Sequence, residues 1–188
     1  MGAIVRPAVP ADAGAIARAH VDSFGSTYAG ILPDEFLAGL TYEKLTDAWV
    51  ARLRDPEEFP LVFVSEDDPG SIFGFLSGGP ERKSDPLYQG EIYAIYILKE
   101  WQRQGIGRRL VAALAGALYD RSIRSMLVWV LTANPACKFY EKLGGIRVRE
   151  KELIIGDRPF PGVAYAWDDI LVLADPHAKG THRSESSY

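Results

Sequence analysis

Apolar and polar positions alternate along this chain with two periods, and together they predict a mixed order of strands and helices. Residues 3–6 read as a first strand. Pro10-Ala11-Asp12 then opens a helix whose apolar positions, Ile16, His20/Val21 and Phe24, recur at helical spacing. Residues 25–33 read as a loop and 34–40 as a short helix. Thr41 caps a further helix in which Leu45, Trp49 and Leu53 recur every four residues, until Asp55-Pro56 stops it. Residues 61–65 and 72–77 are strand-formers around the turn Asp67-Asp68-Pro69-Gly70, so they predict a hairpin. A polar loop follows over 78–86. Residues 91–98 carry few polar side chains and predict a central strand.

The second half repeats the theme with clearer punctuation. Ile106, Leu110, Leu114 and Leu118 make one stripe of a helix over 105–121, and 126–131 is an apolar strand. Residues 134–143 predict a helix with Asn134 as N-cap, Pro135 in the first turn and Gly144 at the C′ position. Residues 145–155 and 163–173 predict the last two strands, around a turn-rich loop over 156–162. The order is a mixed α/β one. Strand 91–98, helix 105–121 and strand 126–131 form a crossover, so those two strands are expected to be parallel. Residues 1–174 read as one domain. Residues 175–188 are polar, without an apolar period, and are expected to be a frayed tail.

Composition narrows the class. The chain has 188 residues, of which 47% are hydrophobic and 24% charged, which suits one globular domain. There is one cysteine, Cys137, so an intrachain disulfide and a cysteine-rich zinc site are both excluded. With no signal-peptide pattern at the N-terminus, a cytoplasmic location is expected. No apolar run approaches the roughly 18 residues of a membrane span. The net charge of -4 argues against nucleic acid as a partner. The histidines, His20, His177 and His182, have no metal-ligand spacing, and no metal is expected.

The segment Trp101-Gln102-Arg103-Gln104-Gly105-Ile106-Gly107-Arg108-Arg109-Leu110 carries the chemistry. It joins an apolar strand to a helix. Two glycines at the helix start allow close approach of a ligand, and the free N–H groups of the first turn favour an anion. Arg103, Arg108 and Arg109 add positive charge, so a phosphate or pyrophosphate is the natural occupant. The P-loop spacing is absent, and the dinucleotide fingerprint fails at Leu110. Taken alone, a Gly-x-Gly is equally a plain strand-to-helix turn.

Gln102-Arg103-Gln104-Gly105-Ile106-Gly107 resembles the acetyl-CoA signature of the GNAT superfamily (GCN5-related N-acetyltransferases). Asn134-Pro135-Ala136 and Phe139-Tyr140-Glu141-Lys142-Leu143-Gly144 resemble that superfamily's later helix, and the element order matches from about residue 3 to 173. One departure is that five residues, rather than the common six, separate Asn134 from Tyr140. The resemblance implies a single-domain, mostly antiparallel sheet with a splayed parallel strand pair, flanked by helices. It implies acetyl-CoA in that splay. Ile95 and Ile97 would offer main-chain groups to the pantetheine arm, and Gln102, Arg103, Gln104, Gly105, Ile106, Gly107 and Arg108 would hold the pyrophosphate. Asn134 would contact the arm, besides capping its helix.

Acetyl transfer to an amine needs a base for the amine, a donor for the oxyanion and an acid for the departing thiolate. The resemblance assigns the acid to Tyr140, whose alternative is a tyrosine packing beside Phe139. It assigns the oxyanion donor to the Ile97 N–H. The base would be Glu91, fourteen positions before Gly105, although a glutamate at a strand start is also commonly just solvated. Tyr93 would share its face. The acceptor side would be walled by residues 24–32, with Phe24 and Tyr28, and by 156–162, with Phe160. The resemblance implies an amine acceptor, of a small molecule, a protein N-terminus or a lysine, without saying which. A homodimer and a non-catalytic acyl-CoA sensor of the same fold both stay open.

Overall fold

The computed structural model describes residues 3–54, 61–67 and 70–174. The strands are β1 (Ile4–Pro7), β2 (Leu61–Glu66), β3 (Ile72–Pro80), β4 (Gly90–Ile97), β5 (Met126–Leu131), β6 (Ile146–Ile155) and β7 (Arg158–Trp167). The helices are α1 (Ala13–Tyr28), α2 (Asp34–Ala38), α3 (Tyr42–Arg54), α4 (Ile106–Asp120), α5 (Cys137–Lys142) and α6 (Leu171–Ala174). The strands pair into one sheet in the order β1-β2-β3-β4-β5-β7-β6. Every junction is antiparallel except β4–β5, the pair that the crossover through α4 requires to be parallel.

Both faces of the sheet are covered, which is why its inner strands read as nearly continuous apolar runs. On one face the α4 stripe of Ile106, Leu110, Leu114 and Leu118 packs on Leu76, Ile92, Met126 and Val128, together with Tyr140 of α5. On the other face α1 and α3 bring Ile16, Ala17 and Trp49 against Val62, Val64 and Phe75. Arg6 ties the start of this second layer to the sheet. Its guanidinium donates to Asp12 at 2.7 Å and to Glu66 at 2.8 Å, and both carboxylates are buried. Thr41 caps α3 as expected, accepting the Lys44 N–H at 3.3 Å.

Five expectations shift. Helix α1 continues into the segment read as a loop and ends at Tyr28, because Phe24 and Tyr28 have an aromatic surface to pack on. Strand β3 runs on to Pro80. Helix α5 starts only at Cys137, since residues 134–136 are used in a turn closed by Asn134. The expected loop over 156–162 is mostly strand. Only Gly156 and Asp157 turn, with Gly156 at φ 65°, and β7 begins at Arg158. Pro159 and Pro161 lie beyond the β5–β7 ladder, which starts at Gly162, and only the Pro161 carbonyl reaches back, accepting the Thr132 N–H at 2.9 Å. Their missing N–H groups therefore fall on an open edge, where proline is tolerated. At its far end β7 stops at Trp167, and residues 171–174 are helical rather than strand. Residues 175–188, His177 and His182 among them, lie outside the described residues.

Candidate functional site

The site is built around a gap in the sheet. Pairing between β4 and β5 ends at Ile92 opposite Val128, although the strands continue to Ile97 and Leu131. The Leu98 N–H donates to the Phe73 carbonyl at 2.8 Å. Hydrogen-bonded positions alternate along an antiparallel pair. With Ile97 opposite Gly74 and Ile95 opposite Leu76, the main-chain groups of Ile95 and Ile97 must face away from β3, into the gap. The Gln102 Nε2 donates to the Ile97 carbonyl at 2.9 Å. That leaves the Ile97 N–H and both main-chain groups of Ile95 facing the gap.

The loop that follows is pinned from below. Trp101 stacks on Phe73 with ring centroids 4.0 Å apart and planes within 7°. Arg103 and Gly105 then take positive φ, 61° and 79°, which turns the backbone onto the start of α4. The amides of residues 103–108 have no hydrogen-bond acceptor among the described residues, and the first helical bond is Arg109 N–H to the Gly105 carbonyl. These are the donors of a helix start, with its positive dipole end and the exposed, unpaired Arg103 and Arg108 beside them. The Gln104 side chain is spent on the Glu100 carbonyl at 3.1 Å, so both glutamines shape the loop with their side chains. At Gly107 an added Cβ would stand 3.0 Å from the Phe139 ring, so this glycine lets α5 close over the first turn of α4.

At the open end of the gap three phenols gather. Asn134 is buried; its Oδ1 accepts the Ala136 N–H at 2.8 Å and its Nδ2 donates to the Tyr28 hydroxyl at 3.0 Å. The Tyr96 phenol lies close enough to that of Tyr28 for each to influence the other's titration. Tyr140 is buried, and its hydroxyl makes no hydrogen bond among the described residues. Burial pushes the Tyr140 phenol well up, and the nearby Tyr28 and Cys137 add to this, so it stays protonated. Burial likewise raises Tyr28 and, more strongly, Tyr96. His20 stacks on the Tyr96 ring at 4.8 Å, and burial pushes it down to about 4. Burial also raises the Cys137 thiol, which does not suit a nucleophile.

Glu91 lies elsewhere. It is buried at the closed end of the gap, opposite Leu127, with both carboxylate oxygens held by Arg82 at 2.6 and 3.0 Å. The Arg82 guanidinium lies over the Tyr93 ring at 4.0 Å, and the Tyr93 hydroxyl donates to the Pro80 carbonyl. A strand advances about 3.3 Å per residue, so Glu91 and the Ile97 N–H stand roughly 20 Å apart along β4.

On the α1 side, a cavity of about 540 Å³ opens between residues 30–34 and the β6–β7 hairpin, lined by Ile31, Asp34, Arg158 and Phe160 among others. A second, of about 310 Å³, shares Ile31 and Phe160 and reaches Leu131 and Thr132 at the end of β5. The structure thus brings together Phe24, Tyr28, Phe160 and Asn134 near the open end, with Phe24 and Tyr28 rings 4.5 Å apart. It sets Glu91 and Tyr93 apart from them. Arg82 and Tyr96 escaped the sequence reading. Tyr96 was within reach of it, because alternation along 91–98 sets it on the face opposite Ile95 and Ile97. Arg82 gives no such signal, since a loop arginine has no period.

The family model of FR47-like proteins matches residues 85–154, the stretch from before β4 to β6. Over 169 residues the chain is 41% identical to the N-acetyltransferase YuaI of Bacillus subtilis, covering 90% of this chain and 95% of that one. Mycothiol acetyltransferase of Kocuria rhizophila is 36% identical over 93 residues, 48% of this chain and 30% of that one. Among solved structures, PaiA N-acetyltransferase of Thermoplasma acidophilum in complex with coenzyme A superposes with TM-score 0.69 at 18% identity, covering 89% of this chain and all (100%) of that one. The yncA protein of Salmonella typhimurium, solved with its cofactor acetyl-CoA, gives TM-score 0.67 at 21% identity, covering 97% and 100%.

Proposed function

The chain belongs to the GNAT superfamily of N-acetyltransferases, and from that premise we propose that it transfers an acetyl group from acetyl-CoA to a primary amine by direct attack in a ternary complex. The observation that carries this reading is the gap between β4 and β5, with the main-chain groups of Ile95 and Ile97 turned into it and a phenol, Tyr140, at its open end. A peptide-like arm such as pantetheine fits unspent strand groups, and a pyrophosphate fits the free amides of residues 103–108. Acetyl-CoA as substrate supplies an activated thioester whose sulfur can leave.

The chain's own residues then divide the work. Arg103 and Arg108 neutralise the diphosphate beside the amides. Gln102 and Gln104 hold the loop, and Gly105, Ile106 and Gly107 present main chain. Asn134 keeps one amide N–H for the arm after serving Tyr28. The Ile97 N–H polarises the acyl carbonyl. Tyr140, held neutral by burial, gives its proton to the departing sulfur. Water takes the amine's proton, because Glu91, the base that the resemblance implies, is held by Arg82 about 20 Å along β4 from the Ile97 N–H. Phe24, Tyr28, Phe160 and the cavities beside them hold the acceptor, while Tyr93 lines the closed end. The acceptor is a small amine or a peptide amine that enters between residues 30–34 and the β6–β7 hairpin.

The Arg82 contact favours a second reading, a non-catalytic acyl-CoA sensor, because it occupies Glu91, the base that the resemblance implies. Release of free thiol from acetyl-CoA across a panel of amines separates the two. Turnover with at least one amine is expected. Tight acetyl-CoA binding without release from any amine favours the sensor. Calorimetry with acetyl-CoA, ATP and NAD tests the cofactor, and no acetyl-CoA binding at millimolar concentration overturns both readings.

A further inference from the structure

Two opposite charges line the outer cavity on the α1 side. Asp34, at the start of α2, and Arg158, at the start of β7, both border its space of about 540 Å³. Neither side chain makes a hydrogen bond or an ion pair among the described residues, with the other or with any third group. Opposite charges close by on β6 do pair, Arg147 with Glu150 at 2.7 Å and Arg149 with Asp85. The walls that carry the two charges are fixed. The Ile31 and Leu32 N–H groups donate to the Tyr28 carbonyl at 2.9 and 3.0 Å, which hangs residues 30–34 from the end of α1. The Phe36 ring of α2 lies against the hairpin turn, 3.2 Å from where a Cβ on Gly156 would stand. Inward, the second cavity shares Ile31 and Phe160 with the first, and only Thr132 interrupts its apolar side chains. It reaches Leu131, which packs with Tyr28 at the open end of the gap.

We propose that the acceptor is an α,ω-diamino acid that reacts through its ω-amine. Arg158 receives the carboxylate, Asp34 receives the α-ammonium, and the apolar chamber takes the methylene stem. The proposal rests on the acetyl-transfer reading above and names its acceptor. Length decides which amine reacts. Arg158 lies roughly 13 Å along β7 from Gly162, the residue opposite Leu131. Strand side chains stand roughly perpendicular to the sheet, so the guanidinium recovers little of that span. An α-amine shares a carbon with the carboxylate and stays in the outer cavity, whereas an amine at the end of the stem reaches the gap. A hydrocarbon stem crosses the apolar chamber without loss, while the inner ammonium of a polyamine would be stripped of water there. The neutral ω-amine adds to the acyl carbon, and the carbon–sulfur bond breaks with its electron pair on sulfur. The nitrogen loses one proton and the sulfur gains one, giving an ω-N-acetyl amide and the CoA thiol.

Thiol release is measured with lysine, with cadaverine, which lacks the carboxylate, and with ε-aminocaproate, which lacks the α-ammonium. Lysine is expected to exceed each of the others about tenfold in kcat/KM, and fragmentation of the product to place the acetyl group on the ω-nitrogen. Arg158→Gln narrows the lysine-to-cadaverine ratio about five- to tenfold, chiefly through KM, and Asp34→Asn does the same to the lysine-to-ε-aminocaproate ratio. Norleucine keeps the charged head and the stem but has no amine to acetylate. Calorimetry of norleucine into the CoA-bound protein reads the head site without turnover, and its Kd rises about five- to tenfold in Arg158→Gln. Equal kcat/KM for lysine and cadaverine, acetyl on the α-nitrogen, an unmoved ratio in Arg158→Gln, or turnover of other amines alone overturns the proposal and leaves acetyl transfer standing. Absence of acetyl-CoA binding to the wild-type protein instead overturns the acetyl-transfer reading on which it rests.

Discussion

Two residues that look alike on paper, a strand glutamate and a helix tyrosine, are treated differently by the fold. Tyr140 is buried at the mouth of the gap with a free hydroxyl, as an acid needs. Tyr140→Phe should lower kcat by about ten- to a hundredfold while the Kd for acetyl-CoA stays put; an unaltered kcat with a good acceptor removes the acid role. Glu91 is instead held by Arg82, whose guanidinium lies over the ring of Tyr93. Glu91→Gln leaves the guanidinium with a neutral partner. Because Arg82 is more than half exposed (56%), the cost in stability should be only about 1–2 kcal/mol by urea unfolding. If Glu91 is the base, the same variant also loses the acidic limb of the kcat/KM profile. A limb that persists assigns proton removal to water. The sequence made both residues visible by motif spacing. It hid the ion pair, because Arg82 meets Glu91 only through the pairing of β3 with β4.

At the scale of elements, the strand–loop–helix from β4 into α4 was legible almost residue for residue, because its signals are local: an apolar strand, a Gly-x-Gly and a 3.6-residue stripe. What fails is whatever depends on a neighbour. Prolines suggested a loop over 156–162, yet β6 supplies an edge on which they fit a strand. Helix α1 outlasts its glycine because of the aromatic surface it meets. The two glycines of the cradle also differ in what they contribute. Gly105 has φ 79° and open space around it, so Gly105→Ala should cost about 1–2 kcal/mol from backbone strain alone. Gly107 has ordinary φ but lies against Phe139. Gly107→Ala should push α5 off α4 and weaken acetyl-CoA binding by about tenfold or more, with a smaller change in folding stability. Titration calorimetry beside urea melts distinguishes the two, and equal affinity in Gly107→Ala and wild type would show that the α4–α5 contact does not shape the cofactor site.

Across the whole molecule, one sheet joins two cores. In the proposed reading the α4 layer faces the cofactor and the α1–α3 layer faces the acceptor, and the two layers pack on opposite faces of the sheet. Loss of one core exposes the sheet face of the other, so the two should unfold together in a single transition. That coupling makes pH a probe of the acceptor-side core, through His20. Burial, with a smaller push from Arg52, lowers His20 from 6.5 to about 4. Its Nδ1 has no partner among the described residues, and its ring stacks on Tyr96. In the folded protein it is neutral at neutral pH, whereas the unfolded chain binds a proton below 6.5. Its contribution is therefore present above 6.5 and is lost as the pH falls through about 4, amounting to at most about 3 kcal/mol. Asp85, held down to about 2 by its hydrogen bond from Arg149, acts in a lower window, lost as the pH falls from 3.8 through 2. The two windows separate cleanly. His20→Phe keeps the aromatic stack and removes the titration. Urea unfolding at pH 7, 5 and 4 should show wild type losing stability over this range and the variant staying nearly level, with both falling below pH 4. Parallel loss in the two proteins would mean that His20 reaches water in the native state, and that the acceptor-side core is looser around Tyr96 than its packing implies.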